Sequence, residues 1–410
     1  MKQFCDISRN ISFYLLLGFL FFINISIAAC YILAVLLSVP LAVFFIRYLK
    51  NKKNGSSSAF TMPTFPKYFK YFLLFIFFSF ISTLLAIDPV NSIKDDKEFL
   101  VFLLIPIFLL VVNTPSRLKS TLAVVLASGL ISAVFGFWII IREGISLDHR
   151  LKGFTSHWMT YSGLLTLTFI FFFVFLFYQE RKKIKFLMAG AEIILLAAII
   201  LSLTRAMWVG IAVSLVLFII YYKPKILYIA VPILVILVLV LPPSVKNRVL
   251  SIVDMSNATN KDRFYMLDIG IRIFKDYPVL GVGPNNIEKI YDRYRPAEAE
   301  HSNPHLHNNF IHVLAERGIL ALLSLIAAFV SLILQLVGKI KKSPPDSMEK
   351  MISIAVLFTF IGFLVAGLFE YNFGDSEIKF LLFYFISIPF LNLGSEQFAS
   401  VQNPPTPKEP

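Results

Sequence analysis

Apolar residues run along this chain in long blocks, and polar residues are confined to the links between them. A helix needs about 20 apolar residues to cross the hydrocarbon core of a bilayer. Twelve blocks approach that length, near 11–25, 29–47, 68–86, 98–112, 120–141, 159–178, 186–203, 206–222, 226–242, 318–337, 351–369 and 378–394. They predict an all-α polytopic membrane protein with about twelve transmembrane helices. The first apolar stretch continues from Ile11 to Ile46, broken only near Asn24 to Ala28. It reads as two spans joined by a tight turn, not as a cleavable signal.

The links alternate in charge. Lys2 and Arg9, the group from Arg47 to Lys70, Arg117 and Lys119, Arg181 to Lys185, Lys223 and Lys225, and Lys339 to Lys350 fall on one side of the predicted topology. The intervening links are poor in Lys and Arg or carry acids beside them, as in Asp88 to Glu98. Basic short links face the cytoplasm, so both termini are expected there and the protein in an inner (plasma) membrane. The pattern divides the chain into an N-terminal bundle of about nine helices (1–242), a large outer loop (243–317), C-terminal helices (318–394) and a Pro-rich disordered tail (395–410). Within the loop, Phe264, Leu267, Ile271 and Phe274 recur at helical spacing. Pro278, Gly281, Gly283 and Pro284 then punctuate a turn, and a second short helix is expected from Asn286 to Arg295. The loop is therefore expected to be a folded helical cap on the membrane surface.

Composition agrees. The chain is 57% hydrophobic and 15% charged, with a mean hydropathy of +0.76, too apolar for a soluble chain of this length. The net charge of +13 follows the links, which excludes a nucleic-acid reading and leaves membrane lipids as the partner. Cys5 and Cys30 have no metal-ligand spacing and fall at different depths, so no disulfide is expected.

The candidate chemistry is all on the outer side. All six histidines lie there, with His301, His305, His307 and His312 crowded into one stretch and His149 and His157 in the 142–158 link. A metal site, a solvated polar loop and a neutral histidine acting as general base all fit the cluster. Arg205 stands where an apolar span ends and is followed by Trp208; an interfacial anchor and a phosphate ligand both fit. Arg263 opens the amphipathic helix, where a solvated first-turn residue is the plain alternative. Two arginines beside a base at the lipid–water boundary suit a lipid-linked phosphate or pyrophosphate, because a guanidinium holds phosphate through two hydrogen bonds. There is no Walker sequence, no Asp-x-Asp and no Gly-x-Ser-x-Gly. Any synthetic reaction on this side would draw its energy from a preloaded substrate.

These residues resemble the bacterial O-antigen ligase superfamily, which includes O-antigen polymerases and O-linking oligosaccharyltransferases. The segment from Leu203 to Gly210 resembles its Ser/Thr-Arg-x-x-Trp-x-Gly signature. Lys261-Asp262-Arg263 resembles the start of its loop helix, and Asp276 to Gly283 its Pro-x-x-Gly-x-Gly turn. His307-Asn308, followed by nine residues and Gly318, resembles the ligase motif. Lys152-Gly153-Phe154 with His157 is similar to the loop before a middle span. Two positions depart, Ala321 where Gly, Thr or Tyr is usual and Leu267 where Trp is frequent.

The resemblance implies a GT-C-like fold and an inverting, metal-independent glycosyltransferase without cofactor. It implies an undecaprenyl pyrophosphate-linked glycan as donor and, for a ligase, lipid A–core or another hydroxyl acceptor. His307 is then the expected base, and Arg205 and Arg263 the expected pyrophosphate ligands. Asn308 is expected to fix the histidine tautomer or bind sugar. Trp208, Lys94, Arg150, Arg295 and Asp375 are further candidates for substrate contact. O-antigen polymerase, protein glycosyltransferase, a flippase or transporter for lipid-linked glycans, and an envelope scaffold remain as alternatives.

Overall fold

The computed structural model describes residues 2–53, 63–146, 149–240, 243–299 and 305–393. His301 and the expected disordered tail lie outside the described residues. Among those described, the chain is helical, with no strand. The helices are α1 (Lys2–Phe22), α2 (Ile27–Lys53), α3 (Lys67–Leu84), α4 (Pro89–Asp95), α5 (Leu104–Val111), α6 (Pro115–Glu143), α7 (Trp158–Phe177) and α8 (Lys182–Leu201). They continue as α9 (Arg205–Tyr222), α10 (Leu227–Val240), α11 (Pro243–Leu250), α12 (Ala258–Asp276), α13 (Ile287–Tyr294), α14 (Asn309–Lys342), α15 (Met348–Ala366) and α16 (Ser376–Ser387).

Every apolar block becomes helical, but not every one becomes a full span. Seven helices (α3, α6, α7, α8, α9, α14 and α15) are long and apolar enough to cross a membrane. Parts of α1, α2 and α10 form shorter apolar helices. The block at 98–112 is broken: Asp96–Leu103 is a 3₁₀ segment that leads into the short α5. Three of its first residues, Asp96, Lys97 and Glu98, are charged, and α5 itself is only 8 residues long. The last block is the 12-residue α16, buried along nearly its whole length between its neighbours.

α7 and α16 sit at the centre. Phe169, Ile170, Phe171, Phe380, Phe383 and Phe385 are all at most 2% exposed. Aromatic rings fill the space between helices, as where Phe171 and Phe385 stack at 4.6 Å and Phe102 meets Phe383 at 4.9 Å. Phe supplies large area with few rotamers to freeze, which suits a helix interface flanked by lipid. The peripheral helices keep their outward apolar residues exposed, including Trp138 on α6, Phe186 on α8 and Tyr228 on α10.

Hydrogen bonds show which helix ends share one end of the bundle. Leu151 N–H, on the link before α7, donates to Leu201 O at the end of α8. Thr160 on α7 reaches Asp375 before α16 at 2.9 Å. Asn309 N–H at the start of α14 donates to Gly367 O just past α15. Ser82 near the end of α3 donates to Leu280 O in the turn after α12. The links after α3, before α7, after α8, before α14 and between α15 and α16 therefore meet at one end, and α12, α13 and the turn between them lie there with a small core of Met266, Ile269, Ile273, Val282, Ile287 and Tyr291.

This cap is keyed into α14, which is bent at Gly318 (φ 76°). The bend frees backbone groups that the cap turn takes up: Val282 N–H donates to Ala315 O, Gly283 N–H to Glu316 O, and Ile319 N–H to Pro278 O. A Cβ on Gly318 would lie 2.2 Å from Val279 O, so only glycine permits both the left-handed conformation and the contact. Gly318→Val should lower the melting temperature of the detergent-solubilised protein by several degrees. Gly338→Ala, further along α14 where a Cβ meets nothing within 4 Å, should leave it unchanged or raise it. Equal effects from both would mean the bend does not hold the cap.

Candidate functional site

His307 lies in the short link into α14, with its backbone in the left-handed region (φ 45°). This conformation costs a residue with a side chain about 1–2 kcal/mol and persists only where neighbours hold it. Asn308 caps α14: its side-chain oxygen accepts from Phe310 N–H at 2.9 Å and Ile311 N–H at 3.0 Å, and its amide donates to Leu368 O at 2.9 Å. Asn309, fully buried, donates to Asn372 Oδ1 at 2.6 Å and accepts from Phe373 N–H at 2.9 Å. These two asparagines clamp the start of α14 to the link between α15 and α16.

That link delivers Glu370. His307 Nδ1 lies 2.7 Å from Glu370 Oε1, which also accepts from Tyr371 N–H. Glu370 is 7% exposed, and its second oxygen has no partner among the described residues. Burial alone would raise its carboxyl. The hydrogen bond and charge of His307, the charge of Arg263 and the Tyr371 N–H outweigh burial and hold it below the usual carboxylate range. An ionised Glu370 fixes the proton of His307 on Nδ1 and leaves Nε2 as a free acceptor. Glu370, not Asn308, therefore makes the tautomer-setting contact.

Four arginines lie near one another at this end, one each from α9, α11, α12 and the link before α7, and Arg263 senses Glu370. Arg205, 4% exposed at the start of α9, donates through Nη1 to Ser251 O at 2.6 Å and Ser251 Oγ at 2.9 Å, and through Nη2 to Thr259 Oγ1 at 2.6 Å. It pins the cap to the bundle. Arg248 on α11 donates to Leu203 O at 3.2 Å. Burial and then the charges of Arg205, Arg150 and Arg263 push it down to about 10, which places four guanidinium groups within one field. Arg263 on α12 is lowered by burial and raised by the charge of Glu370. None of the described hydrogen bonds or ion pairs takes up its guanidinium. Arg150 stacks on the Trp158 ring at 4.6 Å. His157 caps α7 through Nδ1, and burial lowers it, against the charge of Glu370 and with the charges of Arg150 and His307.

The remaining sequence candidates divide. Asp375 belongs near the centre: it accepts from Thr160, and its carboxyl senses Glu377 and Glu370. Trp208 packs into the bundle and donates to Ile199 O at 3.2 Å, tying α9 to α8. Arg295 pairs with Asp292 at 3.3 Å past the end of α13. Lys94 is exposed on α4, and no described contact joins it to His307 or the arginines. Sequence reasoning missed Glu370 and Arg248. Glu370 had one visible signal, an acid directly after an apolar span on the outer side; Arg248 looked like any solvated loop cation. Among the described residues no group of three or more His, Cys, Asp or Glu could hold a metal ion.

Four arginines, a buried carboxylate and the histidine paired with it thus lie toward one end of the helical bundle. Residues 190–326 match the family described as O-antigen ligase. No curated protein matches the chain. The matched segment holds Arg205, Arg248, Arg263 and His307, whereas Arg150, His157, Glu370 and Asp375 come from outside it.

Burial pushes the Asp375 carboxyl up to about 7, partly opposed by the Thr160 hydrogen bond. The folded chain holds this proton more tightly than the unfolded chain. The stability it contributes is full below the ordinary aspartate range and is lost as pH rises through about 7. Asp375→Asn has no proton to lose. Its melting temperature, relative to that of the unmodified protein, should climb between about pH 5 and about pH 8; a constant difference across that window would refute the assignment.

Proposed function

We propose that this protein transfers a glycan from an undecaprenyl pyrophosphate donor to an acceptor hydroxyl at the periplasmic face of the bacterial inner membrane. The acceptor we favour is lipid A–core, which makes the protein an O-antigen ligase. The observation that carries the reading is the His307–Glu370 pair set among Arg150, Arg205, Arg248 and Arg263. The family match supports the same class of reaction. In this reading both termini are cytoplasmic. Residues 1–242 and 318–394 form the GT-C-like membrane bundle, and 243–317 form the periplasmic cap over the cleft.

The acceptor oxygen attacks the anomeric carbon while His307 Nε2 takes its proton. The bond from that carbon to the pyrophosphate oxygen breaks, and undecaprenyl pyrophosphate leaves with the electron pair. The arginines neutralise the charge that grows on the leaving oxygens, a term worth several kcal/mol where water is scarce. Glu370 stabilises the imidazolium that forms, as a buried carboxylate does in hydrolase triads. Attack opposite the leaving group inverts the anomeric centre. Arg205 contributes positive charge and also the fork that holds Ser251 and Thr259, which Lys cannot reproduce.

Purified protein given a polyprenyl pyrophosphate glycan and lipid A–core should form the joined product. His307→Ala should abolish transfer, and Glu370→Gln should lower kcat by about a hundredfold with the fold intact. Arg205→Lys should lose both activity and thermal stability. Full activity in His307→Ala would remove the base assignment. Chain growth on the donor without lipid A–core would mark a polymerase, and vesicle-to-vesicle movement of donor without any covalent product would mark a transporter.

A further inference from the structure

A second histidine at this end of the bundle has no part in the proposed chemistry. His312 is 2% exposed in the first turns of α14. Its Nδ1 accepts the Leu306 N–H at 3.3 Å, so that nitrogen carries a lone pair. Its Nε2 therefore bears the proton and faces Glu316 Oε2 at 3.4 Å. Its ring lies flat on Tyr371, centroids 3.6 Å apart and 25° from parallel. Glu316 is anchored in turn: Oε1 accepts from Asn285 N–H at 2.5 Å, and Oε2 faces Arg317, which donates to Asp95 at 2.9 Å. One buried ring thus touches the residue before His307 and the residue after Glu370. Its far nitrogen is tied to the cap turn and, through Arg317, to α4.

The placement matters because His307 and Glu370 are 63 residues apart and belong to separate links. Their 2.7 Å contact depends on two backbones being held in register. His307 also sits in a strained conformation that nothing in its own side chain enforces. The Leu306 N–H contact holds the chain one residue before that strain, and the His312 ring packs on the side chain that follows Glu370. We infer that His312 is a positioning residue for the His307–Glu370 pair, acting through the Leu306 N–H. The inference rests on the glycosyl-transfer reading for its effect on rate, but not for its effect on geometry.

Two substitutions separate positioning from packing. His312→Asn keeps an oxygen near the place of Nδ1, able to accept from Leu306, and loses the reach to Glu316. His312→Gln places its amide near Nε2 and loses the Leu306 contact. In the transfer assay His312→Gln should lower kcat by about tenfold or more with KM for the donor little changed, since a small misplacement of a reacting group is costly. His312→Asn should keep most of the activity. Diethyl pyrocarbonate adducts mapped by mass spectrometry give a second readout that needs no activity. His307 should react several-fold faster in His312→Gln than in the unmodified protein, and at the unmodified rate in His312→Asn. Identical behaviour of the two variants, in rate or in His307 reactivity, would overturn the inference. An unmodified protein that transfers no glycan would refute the glycosyl-transfer reading, while the reactivity comparison still decides the positioning role.

Discussion

A carboxylate with almost no access to water must find positive charge or donors within reach, or it takes up a proton. Glu370 meets that demand with His307, the Tyr371 N–H and the field of Arg263. Much of this end of the molecule can be understood as what is needed to bring those groups to it. The asparagine clamp at Asn308 and Asn309 holds α14 against the link that carries Glu370. The cap turn grips the bend at Gly318 and keeps α12, and with it Arg263, over the same point. Each contact is modest, about 1 kcal/mol net. They act together because each one leaves a buried polar group exposed to loss if its neighbour shifts.

The arginines set the opposite requirement. Like charges brought close together repel one another, and after burial the charges of Arg205, Arg150 and Arg263 lower Arg248 further. Arg205 is stabilised by three hydrogen bonds and Arg150 by an aromatic face, while Glu370 offsets part of the field at Arg263. The resting site is therefore positive, and an anion entering it relieves repulsion as well as gaining hydrogen bonds.

Much of this was legible in the chain. The apolar blocks anticipated the helices because bilayer thickness imposes a length that hydropathy reveals directly. The cap helices followed from periodicity at Phe264, Leu267, Ile271 and Phe274, and the turn from its glycines and prolines. His307, Arg205 and Arg263 stood out because a charge or a histidine at the edge of an apolar run is conspicuous. Other features had little local signature. Glu370 stands out only as an acid just past an apolar run, and its role is defined by its partner across 63 residues. The 3₁₀ break at Asp96–Leu103 depends on tertiary pairing: Glu98 meets Lys379 at 2.5 Å, and Asp95 meets Arg317. Hydropathy sees only the apolar residues that follow. The second role of Arg205, as a tie to Ser251 and Thr259, is likewise invisible until the cap folds over it.

The bend in α14 and the clamp beside it bear on how such a protein can be recombined. The segment that matches the O-antigen ligase family stops at residue 326, before the link that carries Glu370. A chimera built on that boundary would import the histidine and three arginines and leave their carboxylate behind with the host. Acceptor specificity exchanged by loop grafting would then depend on whether the host's link between its last two helices presents an acid in the matching register. An exchange that keeps the His307–Glu370 pair must carry the link between α15 and α16 as well as the matched segment, pieces that are separate in the chain and contiguous only in space.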